Sequence, residues 1–186
     1  MSKKGRVKRL YLVVGPERSG TRMLTRAIIS TGVWGDTDHN QRGIRKDNTV
    51  AWDSMPEKDA VLRFSIPHQS QDVDLQKVCD EASVRGWEVF VVGIMRDITA
   101  VDLSRRNAWG EKSGGAQTLK SFLDFTNHMK LCGLIVQYEP FASVREYRRF
   151  IFNHAFGLPE PLMDFTNMNK EKYGFVLNPD VRWEEK

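Results

Sequence analysis

The chain is poor in the residues that mark several common function classes. It has two cysteines in 186 residues, Cys79 and Cys132, with neither Cys-x-x-Cys nor nearby His spacing. A zinc centre or a disulfide framework is therefore not expected, and two buried free thiols are. No apolar run approaches the roughly 20 residues of a membrane span. No hydrophobic leader follows the basic start, so a cytoplasmic protein without a membrane partner is expected. Acidic residues are missing from the first nine positions, where Lys3, Lys4, Arg6, Lys8 and Arg9 fall. The other 23 basic residues meet 24 acidic ones, so the formal net charge of +4 belongs to the start and to local clusters. That distribution argues against a nucleic-acid-binding face, and residues 1–7 read as a basic flexible tail. Repeats and low-complexity segments are missing too. The length implies one domain over residues 8–186. A 40% hydrophobic content with five Trp and ten Phe suffices for a substantial core.

What is present is an alternation of strand and helix. Apolar runs predict strands at 8–14, 60–66, 87–95 and 133–138. Helical spacing predicts helices at 19–31, 72–85, 97–108, 116–131 and 140–156. In the second of these Leu75, Val78, Cys79 and Ala82 share a face; in the fourth Leu119, Phe122, Leu123 and Met129 point inward. Such alternation implies a parallel sheet covered on both faces, with the ligand at the carboxyl ends of its strands. The polar stretch 35–58, with Asn40, Gln41, Arg42, Arg45 and Lys46, is the expected acceptor-facing loop. Trp52 and Trp109 are expected to pack rather than to serve as adenine platforms.

The richest segment is Leu12 to Ser30. Tyr11, Leu12, Val13 and Val14 form a buried strand, Gly15 and Gly20 bracket a tight turn, and Met23, Leu24, Ala27 and Ile28 recur at helical spacing. Backbone N–H groups of residues 17–22 are expected to converge at the helix start, where unpaired donors and the positive dipole end hold a phosphate or sulfate. The Gly15 to Gly20 spacing matches a P-loop, but Thr21 and Arg22 stand where a nucleotide-hydrolysing P-loop needs Lys and Ser or Thr. The loop should hold its anion through backbone groups and Arg18, without a required metal. The missing Lys also disfavours a small-molecule kinase.

Pro16-Glu17-Arg18-Ser19-Gly20-Thr21 resembles the loop with which sulfotransferases hold the 5′-phosphosulfate end of 3′-phosphoadenosine-5′-phosphosulfate (PAPS). Arg96, at the end of the strand at 87–95, and Ser104, eight residues on, are similar to the family's pair for the 3′-phosphate, with Ile98 where the family has Pro. Leu134 to Phe141 resembles its late strand and Tyr-Glu turn. The resemblance covers residues 8–160 and implies a P-loop-type three-layer α/β fold, with a central parallel sheet and helices on both faces. It also implies PAPS as cofactor, bound by Pro16, Glu17, Arg18, Ser19, Gly20, Thr21, Arg22, Arg96 and Ser104. Arg18 would stabilise the leaving phosphate, and Arg22 would add positive charge beside it. The Tyr138-Glu139 turn would support the fold and add no site.

Members of that family acting on hydroxyls use a His or Glu as general base. Here His68 adjoins one strand end, and Asp36, Asp38 and His39 lie where other members carry Gly-Glu-Glu; none of the four is singled out. The polarity of 35–58 favours a saccharide, peptide or other polar hydroxyl as acceptor. A non-catalytic module binding PAPS, adenosine 3′,5′-bisphosphate or a phosphorylated partner is the reading from a different class.

Overall fold

A computed structural model describes residues 6–36, 43–66, 73–163 and 165. Four strands, β1 (Lys8–Pro16), β2 (Ala60–Ile66), β3 (Trp87–Met95) and β4 (Leu134–Gln137), form one sheet in the order β2-β1-β3-β4. All three pairings are parallel. The α/β architecture follows from how the strands bury both sides. Tyr11 and Val13 of β1 face one core cluster, with α1 (Thr21–Ile29) and the C-terminal helices. Leu10, Leu12 and Val14 face a second cluster, with α2 (Leu75–Val84) and α4 (Ala116–His128). An apolar residue at every position is what a doubly covered strand requires.

The strand order reverses about β1. From β1 the chain moves to β2 on one side, then returns past β1 to β3 on the other, so the direction of winding reverses between β1 and β3. A crevice opens at the carboxyl ends of strands flanking such a switch. Residues 17–20 leave the end of β1, and Arg96 leaves the end of β3 just before α3 (Ile98–Trp109).

Two expectations need correcting. The inward face of α4 is not the leucine face: Leu119 and Leu123 are 52% and 57% exposed, whereas Thr118, Ser121 and Phe125 are buried. The Ser121 hydroxyl donates to the Ile66 carbonyl at the end of β2 and accepts the Glu17 N–H at 3.3 Å. Thr118 Oγ1 donates to Asp102 at 2.8 Å. These polar tethers set the rotation of the helix. The expected single helix 140–156 is instead α5 (Tyr138–Ser143), α6 (Arg145–Phe150) and a π-helical turn, Ile151–Phe156. Val144 between the first two is extended, with φ −106° and ψ 110°. Arg148 donates to the Phe141 and Ala142 carbonyls, which the break leaves without helical partners.

The remaining elements need smaller adjustments. The helix expected at 116–131 ends as α4 at His128 and continues as a 3-10 turn, Met129–Leu131. Cys79 and Cys132 are free as expected, but half-buried rather than buried, and burial pushes the Cys132 thiol up to about 11. Arg6, at the edge of the expected tail, pairs with Asp59, and Lys8 pairs with Glu57 at 2.9 Å. Ile44 bridges to Val50 within the described part of 35–58. Trp52 donates to Glu81 of α2 at 2.6 Å and lies under Arg85, the packing role expected of it. Among the described residues no helix is long and apolar enough to cross a membrane, and no group of three or more His, Cys, Asp or Glu could hold a metal ion.

Candidate functional site

The loop after β1 is tight because two glycines let it be. A methyl group at Gly15 would overlap the Ile94 carbonyl of β3 and come within 2.6 Å of Ser19 Oγ. Gly20 has φ 103° and caps α1, and a methyl group there would overlap the Tyr138 ring. Arg18 is left-handed too, at φ 69°, a conformation costing about 1 kcal/mol in a residue with a Cβ. The Ser19 N–H donates to the Pro16 carbonyl at 3.0 Å and closes the turn. Gly20→Ala is accordingly expected to destabilise the protein by about 2–4 kcal/mol, from strain at positive φ plus overlap with a buried ring. Urea unfolding measures it; a loss under about 1 kcal/mol would mean that the Tyr138 ring moves freely.

The expected convergence of N–H groups from residues 17–22 is reduced by this closure. The Ser19 N–H and, through Ser121, the Glu17 N–H shape the turn rather than face a ligand. Among the described residues no side chain caps the N-terminus of α1, which leaves the first turn its unpaired-donor character. Ser19 is fully buried, and its hydroxyl has no hydrogen-bond partner among the described residues. A buried, unsatisfied hydroxyl at the mouth of a helix start suits an anion.

Glu17 does not add its charge to the cradle. Its carboxylate lies 2.6 Å from Arg105 Nη1, and Arg105, buried on α3, also donates to the Ser113 carbonyl at 2.8 Å and to Gln117 at 3.3 Å. A carboxylate that would repel a phosphate is thereby neutralised. Trp109 is 52% exposed and packs against guanidiniums rather than in the core: Arg18 lies 4.3 Å over its ring and Arg105 5.2 Å. Arg105 and the Trp109 stacking escape a sequence reading, because the partners are distant in the chain.

At the end of β3 Arg96 is buried, with its guanidinium 4.6 Å over the Tyr138 ring and Nε 3.7 Å from Glu139. Glu139 also accepts the Asp97 N–H at 3.2 Å, and the Asp97 side chain caps α3 by accepting the Ala100 N–H at 3.0 Å. Ser104 is buried on α3. Tyr138 and Glu139, at the start of α5, support this part of the fold: the ring packs against Gly20 of the loop and under the Arg96 guanidinium.

At the end of β2, Ser65 Oγ is 3.5 Å from Thr21 Oγ1. Two residues earlier Arg63 is 6% exposed. Burial, with the like charges of Arg22 and Arg26 and against the opposite charge of Asp36, lowers its guanidinium to about 10, still protonated at neutral pH. Arg22 and Arg26 are exposed on α1, and Asp36 is half-buried. His68, Asp38 and His39 lie outside the described residues, as do Asn40, Gln41 and Arg42. Comparison of the chain with family models, with curated proteins and with solved structures finds no match.

Proposed function

We propose that the protein is a PAPS-dependent sulfotransferase acting on a hydroxyl, or an amine, of a polar acceptor. What supports this reading is the placement of two cationic segments at the carboxyl ends of neighbouring strands: the loop of Arg18, Ser19 and Thr21 after β1, and Arg96 after β3, both reaching the Tyr138 ring. Two separate anchors suit a ligand with two separate anionic ends. PAPS would supply an activated sulfuryl group. The loop and the start of α1 would hold its 5′ end, with the P-loop-type role that the Gly15 to Gly20 spacing suggests, and Arg96 with Ser104 would hold the 3′-phosphate. Arg18 would meet the charge that develops on the leaving phosphate. One of Asp36, Asp38, His39 and His68 would take the acceptor proton. Thr21-Arg22 in place of Lys-Ser argues against an Mg²⁺-dependent kinase.

The carrying test is binding. Adenosine 3′,5′-bisphosphate is expected to stabilise the protein without metal, by about 2.7 kcal/mol at a hundredfold excess over its dissociation constant, and ATP with Mg²⁺ by much less. Arg96→Ala should weaken the bisphosphate about tenfold or more, since a charge-assisted contact is worth about 1.5–3 kcal/mol. Adenosine 5′-phosphate, lacking the 3′ group, should not notice the change. Equal weakening of both ligands, read by calorimetry, would sink the assignment of Arg96. A second reading is a module that binds the bisphosphate or a phosphorylated partner without turnover. Tight binding with no transfer to a broad acceptor panel would select it.

A further inference from the structure

The loop that carries Arg18 is held from one side by a buried residue of α3. The Arg105 guanidinium engages three partners from three elements. Nη1 donates to the Glu17 carboxylate at 2.6 Å, Nη2 to Gln117 of α4 at 3.3 Å, and Nε to the Ser113 carbonyl, in the 3-10 turn Glu111–Ser113, at 2.8 Å. The Ser113 hydroxyl closes back on the Arg105 carbonyl at 2.9 Å. One turn further along α3, the Trp109 ring lies 5.2 Å from the Arg105 guanidinium and 4.3 Å from that of Arg18. Glu17 and Arg18, consecutive in the loop, are thus both tied to residues four apart on one helix.

A buried ion pair gives little net stability over an apolar pair of similar volume. What the planar fork gives is direction, because its donors leave the guanidinium at fixed angles. Direction is what this loop needs. Arg18 is left-handed, at φ 69°, and a residue with a Cβ persists there only where its surroundings over-determine it. On one side of it the Ser19 N–H is held by the Pro16 carbonyl; on the other the Glu17 N–H is held by Ser121 and the Glu17 carboxylate by Arg105.

We infer that Arg105 is a positioning residue for the sulfuryl-transfer site: through Glu17 it sets the backbone of the loop, and through Trp109 it sets the ring on which the Arg18 guanidinium rests. Its three nitrogens all have partners within the protein, so it acts through Arg18 rather than on a ligand. The effect on transfer rests on the sulfotransferase reading; the hold on the loop does not.

Two variants of the whole chain test it. Arg105→Lys keeps a cation beside the Glu17 carboxylate and removes the fork, and Trp109→Leu removes the ring at a position that is 52% exposed. Each is expected to lower kcat for labelled sulfate transfer from PAPS about tenfold or more, with the KM for PAPS within a few fold. In an Arg18→Ala background both losses should shrink below about twofold, because a residue acting through Arg18 then has nothing to act through. The same fold loss in both backgrounds would overturn the inference, since a general structural role is indifferent to Arg18. Parental turnover in either variant would overturn it too.

A second measurement needs no chemistry. The Glu17 and Ser19 amides, bonded to Ser121 and to the Pro16 carbonyl, should exchange hydrogen about tenfold or more faster in Arg105→Lys, read by NMR, while amides of the β1–β3 pairing keep the parental rate. Unchanged exchange at those two amides, or acceleration spread equally over the sheet, would overturn the hold on the loop. Faster exchange confined to the loop, in a protein that transfers sulfate to no acceptor, would remove the transfer reading and leave Arg105 as the residue that sets the loop. Should Arg105→Lys not fold, Glu17→Gln, which removes the ion pair but leaves Arg105 an acceptor oxygen, is read in the same way.

Discussion

Removing the general base is expected to cost about a hundred- to ten-thousandfold in transfer rate while bisphosphate affinity stays within a few fold. An alcohol is a poor nucleophile near neutral pH, so a carboxylate or imidazole must reach it, whereas a pure binding module needs neither. Asp36, Asp38, His39 and His68 are the four candidates. Labelled sulfate transfer from PAPS to saccharides, tyrosyl peptides and phenols, measured for the parent and then for Asp36→Asn, Asp38→Asn, His39→Ala and His68→Ala, identifies the residue. Full activity in all four variants would leave the donor site intact and remove this choice of base.

Arg18→Ala is expected to cut turnover about a hundredfold or more and to weaken bisphosphate binding far less. The ground state keeps the start of α1 and the Arg96 anchor, and only the growing negative charge loses its partner. The Trp109 ring stacked 4.3 Å from the Arg18 guanidinium gives that cation a defined resting place beside the loop. Relieving the left-handed strain is not an alternative explanation for lost activity, because alanine at φ 69° carries a similar cost. Pre-steady-state transfer at the parental rate in Arg18→Ala would reduce the residue to a shaper of the turn.

Much of the architecture was legible because buried parallel strands write themselves as unbroken apolar runs. β2 and β3 fall at 60–66 and 87–95, as the runs predict. The amphipathic face of α1 was legible for the same reason: Met23, Leu24, Ala27 and Ile28 are all buried. Periodicity misled where polar groups fix a helix by specific bonds. Leu119 and Leu123 of α4 offer a better apolar stripe than Thr118 and Ser121, yet the hydroxyls face inward because Ile66 and Asp102 supply partners there. The loop could be recognised from Gly15 and Gly20, since tight closure constrains residue type locally. The partnership of Glu17 with Arg105, 88 positions away, could not, because charge complementarity at that separation is decided only by the assembled fold. The Tyr138 ring over Gly20 belongs to the same class.

The central place of β1 bears on how the protein reaches its native state. Lys8 pairs with Trp87, and Leu10 with Ala60, so the first strand waits for partners roughly 50 and 80 positions downstream. Long-range parallel pairing of this kind makes folding slow, because loop closure is unfavourable until the pairing is made. The Tyr138 ring that seats Gly20 is further along the chain still, just after β4. The anion cradle is therefore complete only when β1, β3 and the start of α5 are all in place, since Gly15 lies against Ile94 and Gly20 against Tyr138. A ligand that needs all three is expected to stabilise the completed fold mainly by slowing unfolding.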